Sequence, residues 1–160
     1  SQLISEKLNE KNVGLFTSQA LHFDTKRYLK VCLDYFAQNT CKVLSTDNFL
    51  KIPPNVLTIF SKNTGFDCSE TKFFVSCYKW ARAECKRQKL AENRENLRKV
   101  LGKDVLQQFN FRTTNMKEFM SVVVPKKLLT HEEVGRHIQY MADNIRVLQL
   151  VCYSQYCIKP

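Results

Sequence analysis

Three histidines, seven cysteines and one pair of adjacent carboxylates are the residues of this 160-residue sequence best able to do chemistry. His22 stands alone, and His131 and His137 are six residues apart. Two helical metal ligands need a spacing near four, so these histidines are poor co-ligands. The cysteines are Cys32, Cys41, Cys68, Cys77, Cys85, Cys152 and Cys157. No two of them form a CxxC pair, and no Cys/His spacing fits zinc. A cysteine nucleophile would need a neighbouring base, and no such pairing is visible. GxSxG, P-loop, GxGxxG and HExxH patterns are all missing. Glu132 and Glu133 follow Thr130 at the spacing of a helix capping box, which suits them to capping rather than acid–base work. The expectation is therefore a protein that is not an enzyme, with no catalytic residue, no metal and no cofactor.

Free thiols beside apolar neighbours point to a reducing compartment, cytoplasmic or nuclear. No basic-then-apolar segment opens the sequence, so no signal peptide is expected. The sequence begins at Ser1, which suggests an excised fragment. The longest late uncharged run, Val147 to Ile158, is shorter than the roughly 18 residues a membrane span needs. No membrane association is expected.

The formal net charge is +10, and it is uneven. Residues 79–103 carry nine basic and three acidic residues, which is six of those ten charges. Lys79, Arg82, Lys86, Arg87, Arg94, Arg98 and Lys99 form a candidate basic patch, with Lys89 and Lys103 completing the run. Such a patch can meet an acidic protein or nucleic acid. It equally suits the solvated face of two helices, and the lack of interleaved aromatic residues and of any nucleic-acid-binding signature favours that reading.

The elements that would position these residues are helical. Hydrophobic residues make up 44% of the chain and charged residues 25%, with only 4 Gly and 4 Pro. That composition fits one globular domain and disfavours a β-sandwich or barrel. Leu3 to Leu21 reads as helix with a break near Lys11–Asn12. Asp24 is placed to cap a helix carrying Tyr28, Val31, Cys32, Tyr35 and Phe36. Ser45 or Thr46 opens a short turn through Phe49 and Leu50. Pro53 and Pro54 suit the first turn of a helix burying Val56, Leu57 and Phe60. Ser69 should cap the longest helix, Glu70 to Gln88, with an apolar stripe of Phe73, Phe74, Cys77, Trp80, Ala81 and Cys85. Asn93 should cap the next, with Leu97, Val100 and Leu101 inward, a Glu95–Lys99 pair and Gly102 as C-terminal stop. Val105 to Phe111 is ambiguous between helix and strand. Thr114 or Asn115 caps a helix through Phe119 and Val122, and Pro125-Lys126-Lys127 forms a loop. Thr130 opens a helix with Val134, Ile138, Tyr140 and Met141, while Val147 to Ile158 reads as helix or strand. Short connections should make the whole an all-α stack of antiparallel helical hairpins.

Several of these segments carry a resemblance. Leu8 to Ala20 and on to Phe23, Trp80 to Gln88, Glu92-Asn93-Arg94 and Arg98 to Lys103 resemble a BACK domain in order. Phe109, Phe111, Arg112, Met116 to Phe119, Leu128-Leu129-Thr130 and Glu132-Glu133-Val134 continue it. The resemblance covers roughly residues 6–141, looks most like the BTB–BACK branch with a C-terminal PHR β-sandwich, and fades over residues 142–158. It implies a 3-box-like helical pair at 1–23, a BACK helical domain at 24–143 and a C-terminal extension or linker at 144–160. Proteins of this kind are substrate adaptors of cullin-three ubiquitin ligases. The implied role is a scaffold module that orients a substrate-binding end relative to the cullin. The parent would dimerise through a BTB domain and bind its substrate through other domains. Leu8, Asn12, Val13, Leu15, Phe16 and Ala20 occupy the 3-box position and are the implied cullin contacts; the other reading is that the same residues close the end of the helical core. The alternative is a nuclear module whose basic 79–103 region contacts nucleic acid or an acidic protein.

Overall fold

The computed structural model describes residues 6–65 and 67–156, and all the regular structure among them is helical. Residues 6–12 form turns where a first short helix was expected, and Leu3 itself lies outside the described residues. Two asparagines lock that turn. The Asn9 N–H donates to Asn12 Oδ1 at 2.8 Å, and the N–H groups of Lys11 and Asn12 donate to Asn9 Oδ1 at 2.9 and 3.0 Å. Side chains that satisfy the backbone locally compete with the helix ladder, so regular structure starts only after Asn12. Helix α1 is Val13–His22.

Asp24 does not cap the following helix. It adopts the left-handed conformation, φ 49°, and ends α1, while the Thr25 N–H donates back to the Ala20 carbonyl at 3.0 Å. A left-handed residue is a common helix stop, and Asp tolerates it better than most side chains. Thr25 takes the cap position of α2, Lys26–Gln38, without a side-chain capping bond. The reversal at Asp24 makes α1 and α2 an antiparallel hairpin.

Helix α3, Thr40–Leu44, continues after a break at Asn39, and a 3-10 turn follows at Phe49–Lys51, with the Phe49 N–H bonded to Thr46 Oγ1. Pro54 begins α4, Pro54–Ser61, as the sequence indicated. The Phe36 and Phe60 rings of α2 and α4 stack with centroids 3.9 Å apart. The link after α4 is pinned to the α2–α3 corner. Thr40 Oγ1 accepts from the Gly65 N–H at 2.8 Å, and Asp67 accepts from the Cys41 N–H at 3.0 Å. Gly65 approaches so closely that a Cβ there would lie 1.7 Å from the Ala37 carbonyl oxygen.

Helix α5, Glu70–Arg87, is the central element. Its cap is Ser69, which accepts from the Lys72 N–H, and Phe74, Cys77, Trp80 and Ala81 are completely buried. Glu70 does more than face the helix dipole. Its carboxylate accepts from the N–H groups of Arg112 and Thr113 at 3.1 and 2.9 Å, tying that distant loop to the start of α5. Helix α6, Arg94–Gln107, is capped by Asn93 as expected and breaks at Gly102, whose φ of 79° interrupts it. Gly102 thus stops one helix and another resumes directly, which resolves the ambiguous segment as helix to Gln107. Phe109 and Phe111 then turn inward, and their rings meet Phe73, Phe74 and Phe119 edge to face. Glu95 and Lys99 are both exposed and form no ion pair among the described residues.

Asn115 caps α7, Met116–Glu118, which opens into a π turn at Phe119–Val123. Val123 rather than Val122 is the fully buried residue there. A 3-10 turn at Val124–Lys126 ends with Lys127 in the left-handed region. The capping box forms as read: Glu133 N–H donates to Thr130 Oγ1 at 3.2 Å, and Thr130 N–H to Glu133 Oε2 at 2.8 Å. Helix α8, His131–Tyr156, runs unbroken through residues 143 and 144. The helices therefore form the all-α stack of hairpins, with α1 on α2 and α6 on α5.

Two outcomes follow for stability. Gly65→Ala forces the link off Ala37 and should cost about 1–3 kcal/mol, seen as a lower unfolding midpoint in denaturant. Glu133 is half-buried, which raises its pKa, yet hydrogen bonds from Arg98 and Thr130 bring it below the usual glutamate value. A depressed folded-state pKa stabilises above the unfolded value and is lost as pH falls through the folded one. Glu133→Gln should therefore be less stable than the native chain at pH 7, and denaturation midpoints of the two should converge below about pH 4.3.

Candidate functional site

The α1–α2 hairpin builds an apolar groove at its open edge. The groove encloses about 280 Å³ and is lined by Phe16, Gln19, Ala20, Phe23, Thr25, Tyr28 and Cys32. Ala20 and Cys32 form its floor, 4% and 1% exposed. Phe23 stands at the rim, 70% exposed, with Tyr28 opposite at 39%. The Asp24 reversal explains the geometry. A three-residue turn joins α1 to α2, with Phe23 in the turn and Tyr28 in the first turn of α2. Large apolar side chains grouped in the open are uncommon unless something covers them.

The six residues assigned to the 3-box position separate into distinct environments. Leu8 and Val13 are core residues, 8% and 0% exposed. Asn12 is spent on the turn, its Nδ2 donating to the Lys7 carbonyl at 2.8 Å. Leu15 is 62% exposed but lines another recess, beside Gly14, Ile52 and Pro53. Phe16 and Ala20 belong to the apolar groove. Sequence reading did not single out Phe23, Gln19, Thr25 and Tyr28 as site residues. The available signal is the pair of aromatics on either side of Asp24, of which Tyr28 also fits the apolar stripe of its helix.

The basic stretch also separates. Arg82 pairs with Glu92, and Arg87 with Glu84, while Arg87 Nη1 donates to the Leu50 carbonyl at 2.7 Å. Arg94 donates to the Lys127 carbonyl at 2.7 Å. Arg98 forks onto Glu133 at 2.8 and 2.9 Å and also reaches the Leu128 carbonyl. These arginines hold distant segments together, as planar forks do well. Lys79, Lys86 and Lys99 are exposed.

Burial pushes the Cys77 thiol well up, raises Cys32 and Cys85, and takes Cys68 to about 11. A thiol so raised is protonated near neutrality and a poor nucleophile. Cys157 lies outside the described residues. His137 packs edgewise on Phe111 and beside Phe119, and burial with the Arg136 charge lowers its pKa. Among the described residues no cluster of three or more His, Cys, Asp or Glu could hold a metal ion. Among the same residues no helix is long and apolar enough to cross a membrane. The outer half of α8 does expose Ile145, Val147, Leu148 and Leu150.

Comparison with known proteins agrees with this helical architecture. The sequence profile of the family described as BACK, BTB And C-terminal Kelch, matches residues 15–123. BTB/POZ domain-containing protein 6-B of Danio rerio is 29% identical over 130 residues, covering 81% of this chain and 27% of that protein. BTB/POZ domain-containing protein 6 of Homo sapiens is 28% identical over 142 residues, covering 88% and 26%. BTB/POZ domain-containing protein 3 of Mus musculus is 26% identical over 158 residues, covering 98% and 30%. The chain thus spans roughly a quarter to a third of the length of these relatives. No solved structure matches. With the profile spanning most of the α1-to-π-turn core, the chain belongs to the BACK domain family.

Proposed function

We propose that this BACK domain is a protein-interaction scaffold of a BTB–BACK substrate adaptor for a cullin-three ubiquitin ligase, and that its α1–α2 groove is the contact with the cullin. The exposed apolar groove is the observation that carries this reading. Its floor is fixed by the core, and its aromatic rim at Phe23 and Tyr28 is open. A partner helix laying an apolar face into such a groove buries both surfaces. The BTB/POZ names of the relatives support a BTB domain acting with it, which would dimerise and supply the larger cullin surface. Substrate would be held by other parts of the protein. No step of chemistry is assigned to this domain. Nucleic acid is the weaker reading of residues 79–103, because Arg82, Arg87, Arg94 and Arg98 already serve internal partners.

The test is a calorimetric titration of the full-length protein against the N-terminal domain of cullin-three. Sub-micromolar binding is expected. Phe23→Ala with Tyr28→Ala should weaken it about tenfold, or roughly 1.4 kcal/mol, while the unfolding temperature stays near that of the native protein. No heat at tens of micromolar overturns the reading. Native affinity in the double variant removes the groove from it.

A further inference from the structure

A second depression lies away from the α1–α2 groove. It sits between the outer turn of α6, the 108–112 connection and the first turns of α8, and encloses about 670 Å³. Its floor is apolar, built from Leu106, Phe109, Phe111 and Leu129. Its rim carries Lys103, Arg112 and Arg136. None of these three makes an ion pair among the described residues. The carboxylate lining the cleft, Glu133, is neutralised by the fork from Arg98. Glu70, which is near enough to act on His137, accepts from the backbone and hydroxyl of residues 112–114 and keeps its charge. Four cations, Arg98, Lys103, Arg112 and Arg136, thus stand against two carboxylates, Glu133 and Glu70, which leaves the cleft net positive above an apolar floor.

We propose that this cleft binds an acidic peptide segment of a partner protein, in which carboxylates flank an aliphatic or aromatic side chain. Charge complementarity fixes the class of occupant. Carboxylates meet Arg112 and Arg136 in planar, two-pronged geometry, and Lys103 adds a point charge. The apolar side chain of the segment covers Leu106, the half-buried residue of the floor. An extended segment advances about 3.3 Å per residue with alternate side chains on one side, which suits a charged rim around an apolar floor. Nucleic acid fits less well, because Phe109 and Phe111 are buried, leaving only Tyr140 and the half-buried His137 among the four rings of the cleft to stack on a base. The site is separate from the α1–α2 groove, so its failure would leave the cullin reading intact.

The experiment is fluorescence anisotropy of the full-length protein with a fluorescein-labelled octapeptide of sequence Glu-Glu-Leu-Glu-Glu-Phe-Glu-Glu. Saturable binding that weakens with added salt is expected. Arg112→Glu with Arg136→Glu should reduce the affinity at least tenfold, and the milder Arg112→Gln with Arg136→Gln should reduce it severalfold with an unchanged circular dichroism spectrum. Lys79→Glu with Lys86→Glu, on the other basic segment, should leave it within twofold. The proposal fails if the peptide does not bind at a hundred micromolar, or if both sets of variants weaken it equally. It also fails if a labelled single-stranded oligonucleotide binds more tightly and loses that binding through Arg112 and Arg136.

Discussion

Two side chains from the last turns of α5 hold the chain that connects α3 to α4. Trp80 is fully buried, and its indole N–H donates to the Ile52 carbonyl at 2.9 Å. Arg87 reaches the Leu50 carbonyl two residues earlier. Carbonyls in a short connection have no ladder to satisfy them, so a buried one needs a side-chain donor. Leaving the Ile52 carbonyl unpaired would cost about 1–3 kcal/mol. The bond also fixes Ile52 itself, and Ile52 is where α1 rests. A Cβ on Gly14 would fall 2.5 Å from Ile52 Cγ2, so the glycine lets the helix backbone come down onto that side chain. The orientation of α1, and with it the groove it shares with α2, depends on this contact from α5.

The other end of the domain is held by charge. Arg94 and Arg98 reach from α6 to the 127–128 backbone, and Arg98 also binds Glu133, which caps α8. One carboxylate thus serves as cap acceptor and ion-pair partner together. The pair is about a quarter exposed on both sides, so it is neither fully screened nor fully desolvated. Its chief effect is to fix where α8 leaves the core. The same pairing offsets the Glu133 charge at the neighbouring cleft, whose rim carries Lys103, Arg112 and Arg136. Arginine therefore carries most of the architecture in the basic stretch, while the lysines stay in water.

The helices were largely legible because their signals are local. Ser69, Asn93 and the Thr130–Glu133 box each act over three residues and cap as read, and of Thr114 and Asn115 it is Asn115 that caps. The stripe of α5 is buried as its spacing requires. What was not legible depends on residues far apart in sequence. Asp24 has the chemistry of a cap and acts instead as a left-handed stop, because the hairpin needs the reversal there. Gly65 is fixed by Ala37 and Thr40, neither of which its surroundings reveal. The groove was half legible: periodicity finds an apolar α1 but cannot say that Val13 turns inward while Leu15 turns out. The partners of the arginines lie up to thirty-seven residues away and leave no spacing pattern.

The most direct test is hydrogen–deuterium exchange on the full-length protein, with and without the N-terminal domain of cullin-three. Added protection should concentrate in residues 15–32, across the end of α1 and the start of α2, with α5 unchanged because it is already buried. Protection confined to residues 79–99, or none within residues 15–32 under saturating partner, would contradict the assignment of the groove.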